Sequence, residues 1–90
     1  MKHEGIYETL VGVLNPLSLR IILLLYERPH TKMEMYDACS KWNNTVVKSA
    51  MELLGRNNIV NGGSTRGDAY RLTLKGTGLA EWLVEGGLVI

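Results

Sequence analysis

Helix-start signals recur along the first half of this chain at short intervals, and the hydrophobic period then switches from helical to two. Asn15-Pro16 is one start: Asn caps, and Pro at the first helical position gives up an amide that has no partner there anyway. Leu14 and Leu19 stand at the positions of a hydrophobic staple across that cap. The segment PLSLRIILLLYE that follows is apolar nearly all round, which predicts the most buried helix, ended by Pro29. Before it, GIYETLVGVL (5–14) spaces Ile6, Leu10, Val13 and Leu14 as a short amphipathic helix. Thr31-Lys32-Met33-Glu34 has capping-box spacing, predicting a helix to about Lys41 with Met35, Ala38 and Cys39 on one face. After a turn of about three residues, Asn43 caps a third helix. It carries a Val47, Ala50, Met51, Leu54 stripe and a polar face of Thr45, Lys48, Ser49, Glu52 and Arg56. Asn57-Asn58 stops it, since Asn tolerates the left-handed conformation past a helix end.

Beyond that point Ile59-Val60 begins a strand, residues 61–68 form a glycine-rich turn, and Ala69 to Leu74 alternates apolar and polar. The pair predicts a β-hairpin with a long tip. Thr73 caps a last helix with Leu79, Trp82 and Leu83 on one side, ended by Gly86-Gly87 and followed by the apolar Leu88-Val89-Ile90. The fold class expected is mainly α with a β-hairpin (α+β), in the order α-α-α-α-β-β-α. A helix-turn-helix occupies about 31–57 and a wing about 59–74.

Ninety residues make one small domain that buries only roughly 60–65% of its unfolded surface, so a two-lobed enzyme with an interdomain cleft is excluded. The longest apolar run, Ile21 to Tyr26, is far short of the ~20 residues that span a bilayer, and no signal-peptide core follows MKHEGIYE. A single cysteine forms no intramolecular disulfide, so a cytoplasmic, reducing setting is expected. The net charge of +1 is unevenly placed. Residues 28–75 hold eight basic and four acidic side chains (+4), and the two flanks together carry −3. A basic middle between acidic ends suits a polyanion-binding face with a separate self-association surface.

Three stretches carry a resemblance. Leu14-Asn15-Pro16-Leu17-Ser18-Leu19-Arg20-Ile21-Ile22 resembles the "L-x-x-P-x-R-x-x-I-L" opening of ArsR-type winged-helix regulators. Asn44-Thr45-Val46-Val47-Lys48 through Leu54 and Ile59-Val60 resembles their recognition helix and its exit into the wing. Tyr70-Arg71-Leu72-Thr73-Leu74-Lys75-Gly76 resembles the "Y-x-L-T-x-x-G" join of MarR-like regulators. The resemblance covers about residues 14–85 and implies a homodimeric, sequence-specific regulator binding double-stranded DNA on a palindromic operator. No enzyme is expected, since no nucleophile elbow, P-loop or carboxylate pair near a histidine stands in the sequence.

The residues supply fitting chemistry. Asn43, Asn44 and Thr45 at the start of the third helix, and Lys48 and Ser49 just after, are polar groups able to reach base edges. Arg56 continues that face, Arg66 at the hairpin tip suits a minor groove or phosphate, and Lys32 beside free helix amides suits a phosphate. For each there is a plainer role: Asn43 and Asn44 as caps alone, and Lys48, Ser49, Arg56 and Arg66 as solvated surface. Glu52 repels phosphate, or reads cytosine N4. Met33, Met35 and Met51 read as core filler, Trp42 as packing in the turn, and Cys39 as a small buried hydrophobe. Apolar residues left over at the ends (about 5–14 and 74–86) predict a two-fold dimer interface of Ile6, Tyr7, Leu10, Trp82, Leu83, Leu88, Val89 and Ile90. No cofactor and no metal are expected. Metal-sensing ArsR-type proteins carry paired cysteines where this chain has Cys39 alone, and His3, His30 and Cys39 lack ligand spacing. The competing reading is a winged-helix module for protein–protein contact without DNA binding.

Overall fold

A computed structural model describes residues 15–63, 65 and 67–86 of the chain. The expected helix over 5–14 lies outside them. The described elements, in chain order, are α1 (Pro16–Glu27), β1 (His30–Thr31), α2 (Lys32–Ala38), α3 (Asn44–Arg56), β2 (Val60–Gly62), β3 (Ala69–Leu72) and α4 (Leu74–Val84). This is an α+β winged helix.

Each helix starts where a side chain takes over an orphan amide. The Asn15 carboxamide accepts from the Ser18 N–H at 2.9 Å, with Pro16 in the first turn. Thr31 and Glu34 complete a capping box: the Thr31 hydroxyl accepts from the Glu34 amide (3.2 Å), and the Glu34 carboxylate accepts from the Thr31 amide (2.8 Å). That backbone donor, ahead of the Arg28 guanidinium, holds the Glu34 carboxyl below its usual pKa. Its contribution to stability is therefore complete above the ordinary carboxylate range and lost as pH falls through the lowered value. Asn43 caps α3 by accepting from the Thr45 N–H at 2.8 Å. At the far end Asn57 closes the helix and Asn58 takes φ 60°, the left-handed conformation expected there. Thr73 caps α4 through the Gly76 N–H.

The core gathers Leu17, Ile21, Ile22 and Leu25 of α1, Met35 and Cys39, the Val47–Met51–Leu54 stripe of α3, Ile59 and Val60, and Leu79 and Ala80 of α4. Helix α1 packs against α3, α4 and β3. It is less enclosed than its composition predicts, because Leu23 and Tyr26 are each 42% exposed. Met33 likewise faces solvent at 74% exposure, while Met35 and Met51 are buried.

Two further expectations are corrected. Helix α2 stops at Ala38, so Cys39 to Asn43 form a longer turn, closed by the Trp42 N–H donating to the Cys39 carbonyl. The sheet has three strands in the order β1-β3-β2, all neighbours antiparallel. The added strand β1 pairs His30 with Tyr70 and Thr31 with Ala69. Pre-proline sterics extend Arg28, and the cap at Thr31 must itself be extended, so the connection from α1 to α2 is already in strand conformation. The buried His30 ring donates from Nδ1 to the Arg28 carbonyl at 2.8 Å, a structural role.

Two glycines test the packing. A Cβ on Gly76 would collide with the Ile59 carbonyl oxygen, whereas one on Gly55 meets only the Val60 carbonyl at 3.9 Å. Gly76→Ala should therefore destabilise by about 1–3 kcal/mol. Gly55→Ala, inside an exposed helix, should stabilise by about 0.5–1 kcal/mol. Urea denaturation of both variants checks the opposite signs. The Ser18 hydroxyl is fully buried and makes no hydrogen bond among the described residues. Ser18→Ala should leave stability unchanged or raise it by about 1 kcal/mol in the same assay.

Candidate nucleic-acid interface

Helix α3 buries its stripe and turns the rest to solvent: Asn44, Thr45, Lys48, Ser49, Glu52 and Arg56 are all exposed. Helical spacing puts Lys48 and Glu52 on one edge and Val46, Ser49 and Leu53 on the other. The first edge faces the hairpin, across a groove of about 240 Å³ lined by Met51, Glu52, Gly55, Val60, Asn61, Gly62 and Tyr70. The second faces the N-terminus of α1, across an apolar groove of about 420 Å³ that includes Pro16, Leu17, Trp42 and Ser49. Of the expected contact residues, Asn44, Thr45, Lys48 and Arg56 thus share one open surface. Ser49 stands at its apolar margin, and the Asn43 side-chain oxygen (Oδ1) is occupied as the cap.

Lys32 is half-buried where α2 begins. It lines a third groove of about 550 Å³ with Thr31, Met33, Gly63, Thr65, Gly67 and Asp68 of the hairpin tip. The structure thus brings Lys32 to the tip; Arg66 itself lies outside the described residues. The hairpin is held by its register, Val60 opposite Leu72, Asn61 opposite Arg71 and Gly62 opposite Tyr70. Asn61 and Arg71 therefore share one exposed face of the hairpin. Neither was among the contact residues expected from the sequence. The period-two alternation over Ala69 to Leu72, which sets Arg71 opposite in phase to Tyr70 and Leu72, is the signal that would have found them.

Tyr70 lays its ring over Gly63, where any Cβ would strike it. Burial, then the neighbouring Tyr36 and Glu52, push the Tyr70 phenol pKa up. Lys41 lies over the Trp42 ring, 5.6 Å from its centroid, bracing the turn before α3. Lys75 is spent internally, donating from Nζ to the Asn57 carbonyl at 3.1 Å.

Of the expected self-association residues, Trp82 and Leu83 are half-buried against the core, while Ile6, Tyr7, Leu10, Leu88, Val89 and Ile90 lie outside the described residues. Val84, Leu23, Tyr26 and Leu74 are exposed apolar side chains not foreseen for such a surface. Among the described residues no three His, Cys, Asp or Glu side chains come together in a way that could hold a metal ion. No helix among them is long and apolar enough to cross a membrane.

No family model and no curated protein matches the sequence. Solved structures do. The chain is similar to a mutant form of ZitR from Lactococcus lactis, with a TM-score of 0.70 and 18% identity, covering 82% of this chain and 53% of that one. It is similar to the adhesin competence repressor AdcR from Streptococcus pyogenes, with a TM-score of 0.69 and 16% identity, covering 96% of this chain and 70% of that one. The chain spans about half the length of ZitR and a little more than two thirds of AdcR. At these identities the likeness establishes the fold.

Cys39 is fully buried, and burial raises its pKa, so the thiolate is scarce. A thiol reagent such as DTNB should leave Cys39 unmodified in the folded protein for as long as the fold persists, and react at once in denaturant. Rapid titration under native conditions would contradict the buried assignment.

Proposed function

We propose that the chain is a sequence-specific, double-stranded-DNA-binding transcriptional regulator acting as a homodimer on a palindromic operator. Helix α3 enters the major groove, and the hairpin, with Arg66 at its tip, lies on the minor groove or backbone. The observation that carries this reading is the open face of α3. A well-capped helix projects Asn44, Thr45, Lys48 and Arg56 clear of the chain's own packing, with the hairpin standing along one edge. Such short polar and cationic groups reach base edges and phosphates. That AdcR, a structure of similar fold, is a repressor supports the direction. Phosphate contacts are assigned to Lys32 and Arg56, with Arg71 of the hairpin added, and base contacts to Asn44, Thr45, Lys48 and Ser49. Asn43 positions the helix through its cap. The dimer is placed on the chain ends and on Leu83 and Val84, which sets two α3 helices about one DNA turn apart. The surface is one for binding rather than catalysis, and no cofactor is assigned.

The apolar margin of α3 favours a second reading. Val46 is 49% and Leu53 36% exposed beside Trp42, which suits a protein partner better than a phosphate backbone.

Fluorescence anisotropy with a random-sequence duplex separates the two. The DNA reading expects affinity that falls with salt; Arg56→Ala or Arg66→Ala should each lower the log–log slope by about 1, and Lys48→Ala should weaken binding. Absence of binding to any duplex at low salt would select the protein-partner reading. Sedimentation should give a dimer.

A further inference from the structure

Lys48, Glu52 and Arg56 recur every fourth residue and form one ridge along α3, all three exposed. At this spacing opposite charges on a helix surface ordinarily pair, and Glu52 precedes Arg56 in the favourable order. Here they do not. Among the described residues Arg28 pairs with Glu34, and Glu52 has neither cation within 4 Å. Among the described residues nothing donates a hydrogen bond to the Glu52 carboxylate, and Glu52 borders the groove between α3 and the hairpin, beside Gly55, Asn61 and Tyr70. The ridge therefore keeps its carboxylate unspent at the centre of the surface assigned to DNA.

A carboxylate accepts hydrogen bonds and donates none, so it is repelled by phosphate and by every acceptor on a base edge. In the major groove guanine shows two acceptors, thymine one acceptor and a methyl group, and adenine an acceptor beside its amino group. Cytosine alone presents an amino donor with no acceptor next to it. We propose that Glu52 is a specificity-determining residue, accepting from the N4 amino group of a cytosine in each half-site and excluding other bases there. Lys48, one turn earlier on the same edge, supplies the donor for an adjacent guanine. The charge alternation of the ridge is then a reading of alternating donor and acceptor edges, and Glu52 lowers affinity for every duplex that lacks the cytosine. This inference rests on the DNA reading above.

Selection from a random duplex pool with the wild type, Glu52→Ala and Glu52→Gln tests it. Glu52 is exposed, so both variants should melt like the wild type. The wild type should enrich one cytosine per half-site, and replacing it should weaken binding roughly ten- to hundred-fold. Glu52→Ala should lose the preference at that position alone and bind unrelated duplexes more tightly. Glu52→Gln should shift the preference to adenine, whose N6 and N7 a carboxamide can engage together. The same enriched sequence for all three proteins would overturn the role of Glu52 and leave the DNA reading standing. No enrichment by the wild type would overturn both.

Discussion

Three consecutive carbonyls at the exit of α3 are gripped by a single downstream turn, and the arrangement of the exposed surface follows from that grip. Lys75 Nζ donates to the Asn57 carbonyl at 3.1 Å. The Thr73 hydroxyl donates to Asn58 at 2.6 Å and lies 3.2 Å from the Ile59 carbonyl, which also accepts from the Thr73 amide at 3.0 Å. Gly76 lets the start of α4 lie against that same carbonyl, closer than any side chain allows. Helix C-termini leave their last carbonyls without intrahelical partners. Those of α3 are met by the amides just after it, Asn57 donating to Leu53, Asn58 to Gly55 and Ile59 to Leu54, and the first turn of α4 takes the three carbonyls that follow, which fixes α3, the base of the hairpin and α4 to one another. The angle between α3 and the hairpin is thus set by short hydrogen bonds rather than by side-chain packing alone, a preorganisation that any partner of this surface inherits.

This grip also explains why much of the fold was legible in the sequence. Asn15, Thr31, Asn43 and Thr73 each cap a helix as their residue types predict, because capping is local and needs only a short oxygen-bearing side chain at the right step. Asn58 in the left-handed region and the Thr73–Gly76 join are likewise short-range signals. What escaped was long-range. Strand β1 is two residues, and its partner lies far along the chain at Ala69-Tyr70, so no periodicity announces it. The continuation of α2 to Lys41 failed for a related reason. The spacing of Met35, Ala38 and Cys39 is satisfied whether the helix continues or ends at Ala38, since Cys39 is buried from its cap position either way.

The candidate surface divides along the same line. That Thr45, Lys48, Glu52 and Arg56 face away from the core is a matter of helical period, and the sequence carries it. Which neighbour each edge of α3 meets is a tertiary fact. Glu52 and Leu53 are adjacent in sequence and both exposed, yet the hairpin stands on the side of the first and Pro16 and Trp42 on the side of the second. The exposure of Met33, Leu23 and Tyr26 was hidden for the opposite reason. An apolar residue on an amphipathic helix reads as core until the other elements are placed, and none of the described elements covers these three.

Charge then constrains how a surface of this kind can work on DNA. With a net charge of +1 the chain has little bulk attraction for a polyanion, and Lys75 is spent inside the fold while Arg28 is paired to Glu34. Non-specific affinity is built from cations neutralising phosphates, so one domain with few free cations starts from a weak electrostatic term. Two consequences follow under the DNA reading. Base-edge contacts must supply an unusually large share of the discrimination, which suits polar residues on a rigidly held α3. Doubling the site through a dimer raises affinity without raising the attraction of each domain for arbitrary sequence, since linked sites multiply rather than add. Such a dimer would find exposed apolar area at Leu23, Tyr26 and Val84, on helices α1 and α4 that pack against one another.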